Sequence, residues 1–309
     1  MKYGKQDISG KIVDVHTHST GIAMYRMIRG KYPVTQDIVD LSETAKRNKV
    51  DFMVTFPMPT SVYYDAMKMR HEKLYVPSGV EDYPYQYENQ SLVSLVRQLG
   101  LSNMLPFLSF SARDRITEQI NNIRALSTEY DVYGLKYHGT MEQNGICCDA
   151  FERFAELAVE LNIPIMLHSE VSSVAHPNDA IKFAKDHPNL RLCVAHAARM
   201  HRPFFELAKK SGLPNLFVDS APLLRICKDV KSNTGGEDMM FNYSNPVDVL
   251  ISLYNEIPDS LLWGTDMPWH RFFHDDGEMS TYSEEVELLA QSNLIDRISI
   301  NTCNFLFGN

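Results

Sequence analysis

Short runs of Val, Ile, Leu and Phe recur along the chain, each breaking off at a polar turn: 12–16, 51–56, 104–110, 132–138, 163–168, 190–196, 215–219 and 260–266. Runs this short and this apolar read as strands covered on both faces, as in a parallel sheet. Between them, apolar residues fall at three- and four-residue spacing at 37–48, 91–100, 114–129, 149–161, 178–186, 203–211, 246–256 and 283–292. That spacing gives a helix one apolar face. Eight such strands alternating with eight helices predict an α/β fold, and a closed (β/α)8 TIM barrel rather than an open sheet.

A chain of 309 residues suits one such barrel with insertions, so a single domain over 1–309 is expected. Two stretches exceed simple connections. Residues 57–89, after the second strand, hold Tyr63, Tyr64, Tyr75, Tyr83, Tyr85 and Tyr87; residues 225–245, after the seventh, hold Thr234-Gly235-Gly236. Both are read as long loops on the face where barrel enzymes place their active sites. There they serve as lids, as substrate walls, or equally as contacts in a homo-oligomer. No internal repeat, low-complexity tract or linker interrupts the alternation.

Composition narrows the partners. The net charge is −9, with acidic residues spread along the whole length, which excludes nucleic acid as the main partner. The five cysteines form no CxxC, and read as buried or partly buried thiols in a reducing compartment. No apolar signal segment opens the chain, and no apolar run nears the ~20 residues that span a bilayer. The expectation is a soluble, cytoplasmic protein with a small-molecule substrate and no membrane role.

Candidate chemistry gathers at the strand ends. His16 and His18 close the first strand, two residues apart and so on one side of it; Asp14 shares their parity and is placed one layer deeper. His168 ends the fifth strand, His196 the sixth and Asp266 the eighth. Each has an ordinary reading alone, as a hydrogen-bonded histidine or a helix cap. Barrel closure brings all five around one pocket, where burial without a metal is costly. Imidazoles with one carboxylate suit Zn2+, with Mn2+ or Fe2+ as alternatives, whereas Mg2+ and Ca2+ prefer oxygen donors. A catalytic zinc brings the pKa of water from about 15.7 to about 7.

The strings Asp14-Val15-His16-Thr17-His18, Met166-Leu167-His168, Ala195-His196 and Gly264-Thr265-Asp266-Met267-Pro268 resemble the amidohydrolase superfamily, particularly its amidohydrolase-related (family 2) branch. The closing segment 298–308 is similar to that branch's C-terminal helix. The resemblance implies metal ligation by His16, His18, His168 and Asp266, with Asp266 also taking the proton of the attacking water. His196 would polarise the substrate or act as acid and base; in two-metal members the matching histidine holds the second ion. Lys136, within Gly134-Leu135-Lys136-Tyr137-His138, stands on the strand where two-metal members carry a bridging carboxylated lysine. A cation contacting an anionic substrate is its other role, and one metal is the expectation.

Around this set, His138, Trp269 and His270 are expected to line the pocket, and Arg199 and Arg225 to hold a substrate carboxylate or to form surface ion pairs. Asp219-Ser220 is read as structural support. The implied activity is hydrolysis of an amide, ester or lactone of a small molecule. The alternative within the same branch is zinc-dependent nonoxidative decarboxylation of a small carboxylic acid, aromatic ones included. A barrel retained only for binding fits less well with a complete ligand set.

Overall fold

The computed structural model describes residues 2–19, 37–57, 82–233, 241–268 and 280–308. Eight parallel strands follow one another in chain order: β1 Val13–Ser19, β2 Phe52–Pro57, β3 Met104–Ser109, β4 Gly134–Tyr137, β5 Ile165–Leu167, β6 Leu192–Val194, β7 Leu216–Asp219 and β8 Leu261–Leu262. The ring closes between the last strand and the first. Val15 N donates to Trp263 O (3.1 Å), Asp266 N to His16 O (2.8 Å) and His18 N to Met267 O (2.7 Å).

The helices of the described residues are α1 Lys5–Ile8, α2 Ile38–Arg47, α3 Gln86–Gln98, α4 Ile116–Glu129, α5 Gly139–Glu142, α6 Asp149–Glu160, α7 Pro177–Asp186, α8 Arg202–Ser211, α9 Leu223–Asn233, α10 Pro246–Glu256, α11 Tyr282–Ser292 and α12 Ile295–Phe307. Five of them start at a residue whose side chain caps the first turn. Asp37 accepts from Val39 N and Asp40 N, both at 2.8 Å, and Thr281 with Glu284 forms a reciprocal cap on α11. Alternation along the strands divides the core. Val54, Phe56, Leu105, Phe107, Met166, Cys193, Phe217 and Leu262 fill the barrel, while their neighbours meet the helices. Below the barrel, the Phe305 ring of α12 packs on Phe217 (5.4 Å between centroids) and Phe107 (6.1 Å).

Four expectations change. The stretch 225–245 is no simple loop, because α9 occupies its first part, burying Leu223, Ile226 and Cys227 at helical spacing. The stretch 57–89 likewise ends inside α3; its residues 58–81, with Tyr63, Tyr64 and Tyr75, lie outside the described residues, as do Thr234-Gly235-Gly236, Trp269 and His270. Cys147 is exposed rather than buried, although all five thiols are free. Asp14 does not share the parity of His16. The register with β2 shifts between Asp14 and Thr17, and the extra residue reverses the alternation. Val13 and Val15 join the barrel interior, while Asp14 turns to Thr265 and to Tyr282 of α11. No helix of the described residues is long and apolar enough to cross a membrane.

Candidate metal centre and active site

The site is built where β1 meets the chain leaving β8. That chain turns sharply: Asp266 has a left-handed backbone (φ 58°), and Gly264 passes so close to β1 that a β-carbon there would stand 2.8 Å from His16 Cβ. Asp14 ties the two segments from behind, accepting from His16 N (3.1 Å), Thr265 N (3.0 Å) and Thr265 Oγ1 (2.7 Å). The turn aims the Asp266 carboxylate inward, with Oδ1 3.4 Å from His16 Nε2 and 3.1 Å from His18 Nε2. All three residues are buried.

Asp219, at the end of β7, fixes the proton on His16. Its Oδ2 stands 2.8 Å from His16 Nδ1, so Nδ1–H donates to it and the lone pair of the neutral ring lies on Nε2. That lone pair faces both the Asp266 carboxylate, which repels it, and the Lys136 ammonium 3.4 Å away, so this point already draws positive charge. Donors about 2.0–2.1 Å from a tetrahedral zinc stand roughly 3.3–3.4 Å apart, close to the separations here. The donor set therefore fits a divalent ion held by His16, His18 and Asp266. A second grouping of His16, His196 and Asp219 is close enough for an ion, but its atoms are already spent on hydrogen bonds.

His196 and His168 form a separate imidazole pair. His196 Nδ1 lies 2.8 Å from Ala221 O, which can only accept, so the neutral ring offers Nε2 as an acceptor. His168 Nδ1, 2.9 Å away, is then the donor, leaving the His168 lone pair on Nε2. The His168 ring stacks on His138 with centroids 3.7 Å apart, and His138 Nδ1 accepts from Met141 N at 3.3 Å. The structure thus joins His16, His18 and Asp266 tightly, and brings His168 to them through His196 rather than into the same close group.

Burial sets the electrostatics. It pushes the His16, His138, His168 and His196 rings well below the ordinary imidazole range, with the Lys136 ammonium adding to the effect at each; all four are neutral, as metal ligation requires. Burial alone would raise Asp266, but the hydrogen bond from His18 and the Lys136 ammonium hold it below the usual carboxylate range. Lys136 is itself buried, 3.4 Å from His16 Nε2 and 4.5 Å above the Phe56 ring. Burial brings it down to about 8, against the pull of Asp219 and Asp266.

The two arginines differ. Arg199 donates from Nε to Ser169 O (3.1 Å), beside His168, and pairs with Glu170 (3.2 Å). Arg225 pairs with Asp229 (3.3 Å) on its own helix. Asp219, read from sequence only as support, joins three parts of the site: besides His16, its Oδ1 accepts from His196 N and Ala221 N, both at 3.0 Å. The available signal was its position, since it ends a strand as the histidines do.

The sequence profile of the family described as Amidohydrolase (Amidohydro_2) matches residues 13–281. The chain belongs to this amidohydrolase family. Its members include the metal-dependent sites that the His/His/Asp grouping resembles. Solved structures share the barrel at low identity. A probable 2-pyrone-4,6-dicarboxylic acid hydrolase from Acinetobacter baumannii, with citric acid bound, is 12% identical with a TM-score of 0.62, over 97% of this chain and 100% of that one. A 5-carboxyvanillate decarboxylase from Sphingomonas paucimobilis is 10% identical with a TM-score of 0.61, over 96% and 99%. A dihydroxybenzoic acid decarboxylase from Polaromonas sp. JS666, with manganese and the inhibitor 2-nitroresorcinol bound, is 13% identical with a TM-score of 0.59, over 96% and 97%. No curated protein matches this amidohydrolase by sequence.

Proposed function

We propose that this amidohydrolase is a zinc-dependent hydrolase of an amide, ester or lactone in a small molecule, working as one catalytic unit in the cytoplasm. The observation that carries the reading is the convergence of His16 Nε2, a lone pair by its forced tautomer, and His18 Nε2 on the ionised Asp266 Oδ1 at 3.4 and 3.1 Å, the spacing of donors around one divalent ion. When bound, the ion supplies a Lewis acid and makes water acidic enough to attack at neutral pH. Family membership and the manganese of the Polaromonas relative support a divalent ion; zinc is the choice that suits the nitrogen donors.

The chain's own groups do the rest. Asp266, held as a carboxylate, accepts the proton of the attacking water; its Oδ2 lies 4.0 Å from the His196 ring. The Lys136 ammonium stabilises negative charge building on the carbonyl oxygen. Ala221 O and His196 hold His168 in one tautomer, with its lone pair on Nε2. The flat pair of His138 and His168 favours a second reading, decarboxylation of an aromatic acid, because it offers a face on which a planar ring can stack.

One set of assays separates the readings. Metal-loaded protein is given 2-pyrone-4,6-dicarboxylate, with ring opening followed by loss of absorbance, and 5-carboxyvanillate or dihydroxybenzoates, with CO2 release followed. Ring opening or hydrolysis of a related lactone is expected, abolished in Asp266→Asn. CO2 release alone would sink the hydrolase reading in favour of the decarboxylase. Elemental analysis should find zinc, largely lost in His18→Ala. Retention in that variant would remove the ligand assignment.

A further inference from the structure

Arg199 sits on an unusual piece of backbone. His196, Ala197, Ala198, Arg199 and Met200 have φ of 63°, 47°, 46°, 55° and 54°, five consecutive left-handed residues with no glycine among them. Side chains with a β-carbon resist that conformation. Runs of it persist only where the surroundings enforce them, and they gather at ligand clamps and active sites.

The geometry gives this turn a purpose. In a turn of about three residues per revolution, positions three apart lie on one face. His196 and Arg199 are such a pair, and both reach the end of β5: His196 Nε2 meets His168 Nδ1 at 2.9 Å, and Arg199 Nε meets the next residue's carbonyl, Ser169 O, at 3.1 Å. Ala197 and Ala198 are fully buried beneath them. A guanidinium is thereby delivered beside the histidine pair, close enough for its charge to act on His16, His168 and His196.

Its partner there is Glu170, at 3.2 Å, with 29% of the arginine side chain and 34% of the glutamate exposed. Those exposures decide how the pair behaves. An ion pair this open to solvent is weak, unlike the sealed His16–Asp219 contact, and an incoming carboxylate can exchange for the glutamate. A planar carboxylate can also take both prongs of the guanidinium fork. The Nε–Ser169 bond keeps the arginine in place while its other nitrogens change partners.

We propose that Arg199 is the anion-recognition residue of this site and that Glu170 competes with the substrate's carboxylate for it, so that the pair selects carboxylate ligands over neutral ones of the same shape. The inference rests on the reading of this pocket as a small-molecule site, but not on which bond is broken there. No covalent step is involved: the glutamate is released to water as the ligand carboxylate docks.

The test is calorimetric binding of benzoate, and of benzamide as its neutral counterpart, to metal-loaded protein. Glu170→Gln should bind benzoate about two- to fivefold more tightly, the inverse of an exposed pair's strength, with benzamide unchanged. Arg199→Gln should weaken benzoate about tenfold or more and leave benzamide alone. Arg199→Lys, which keeps the charge without the fork, should fall between. Circular dichroism checks that each variant is folded. Benzoate affinity within twofold of wild type in Arg199→Gln would overturn the proposal, as would equal weakening of both ligands in Glu170→Gln or no benzoate binding to wild type. Benzoate selectivity is read from binding alone and the catalytic reading from turnover of the lactone and acid substrates, so the two can fail separately.

Discussion

A single carboxylate at the end of β7 sets the proton on one imidazole and the backbone of another. Asp219 gives one oxygen to the ring of His16 and the other to the amides of His196 and Ala221. Burial raises it to about 7, with the Lys136 ammonium and those amides acting in the opposite direction. A metal ligand that loses such a partner holds its ion about 10–100-fold less tightly. Asp219→Asn should show that drop in competition with a chelator, at an unchanged circular dichroism spectrum; an affinity within twofold of wild type would remove Asp219 from the metal's support. Glu285 is a second buried acid with a different consequence. Its Oε1 accepts from Leu224 N (3.2 Å), its Oε2 meets no partner among the described residues, and burial pushes it up to about 8. The folded chain keeps a proton that the unfolded chain sheds near 4.5, so stability is full below pH 4.5 and is lost as pH rises towards 8. Glu285→Gln should raise Tm by at least about 2 °C at pH 8 and change it little at pH 4.5, by differential scanning calorimetry. Equal shifts at the two pH values would contradict this. His16, His18 and Asp266 were legible as a group because each falls at a strand end, although the left-handed turn that aims Asp266 was not. The His168–His196 bond was not, because it depends on Ala221 O, which comes from another strand's loop.

Strands and turns show where that legibility stops. All eight strands lie where the apolar runs predict them, yet β5, β6 and β8 are shorter than the runs. Their functional ends leave the ladder: His196 and Asp266 take left-handed backbones, which no hydrophobic pattern records. The bulge in β1 is hidden for the same reason, since Val13 and Asp14 alternate in sequence as they would in a regular strand. Helices fared better where one face is continuously apolar; α10 matches its expected limits, whereas α9 was lost in a stretch that also holds Thr234-Gly235-Gly236. Gly264, in the string Gly264-Thr265-Asp266-Met267-Pro268, has a measurable role through its packing. A methyl there meets His16 Cβ at 2.8 Å, His16 N at 3.1 Å and Ala221 Cβ at 3.2 Å, all three atoms held by the backbone and unable to swing aside. Gly264→Ala should cost about 1–3 kcal/mol of stability, as overpacked cores do, and also lower metal affinity by displacing His16. Thermal melts with and without added zinc check both effects; a variant that melts and binds like wild type would show that the contact yields freely.

At the scale of the molecule, chemistry and stability occupy opposite ends of the barrel. The alternation of eight strands and eight helices was enough to predict the ring, but not how its ends register, which the site itself determines. Phe305 belongs to the lower end, fully buried against Phe107 and Phe217. Phe305→Ala should cost about 3–5 kcal/mol in denaturant unfolding and leave metal content unchanged. Loss of metal in a still-folded variant would show that the two ends are coupled. The closure between β8 and β1 has one more consequence. His16 and His18 come from the first stave and Asp266 from just beyond the last, so an ion bound between them would be a clasp across the seam. Every part of the barrel can be in place and the clasp still be unfastened. An ion bound there would reward the final act of assembly, and its uptake by a refolding chain would time the moment at which the seam shuts.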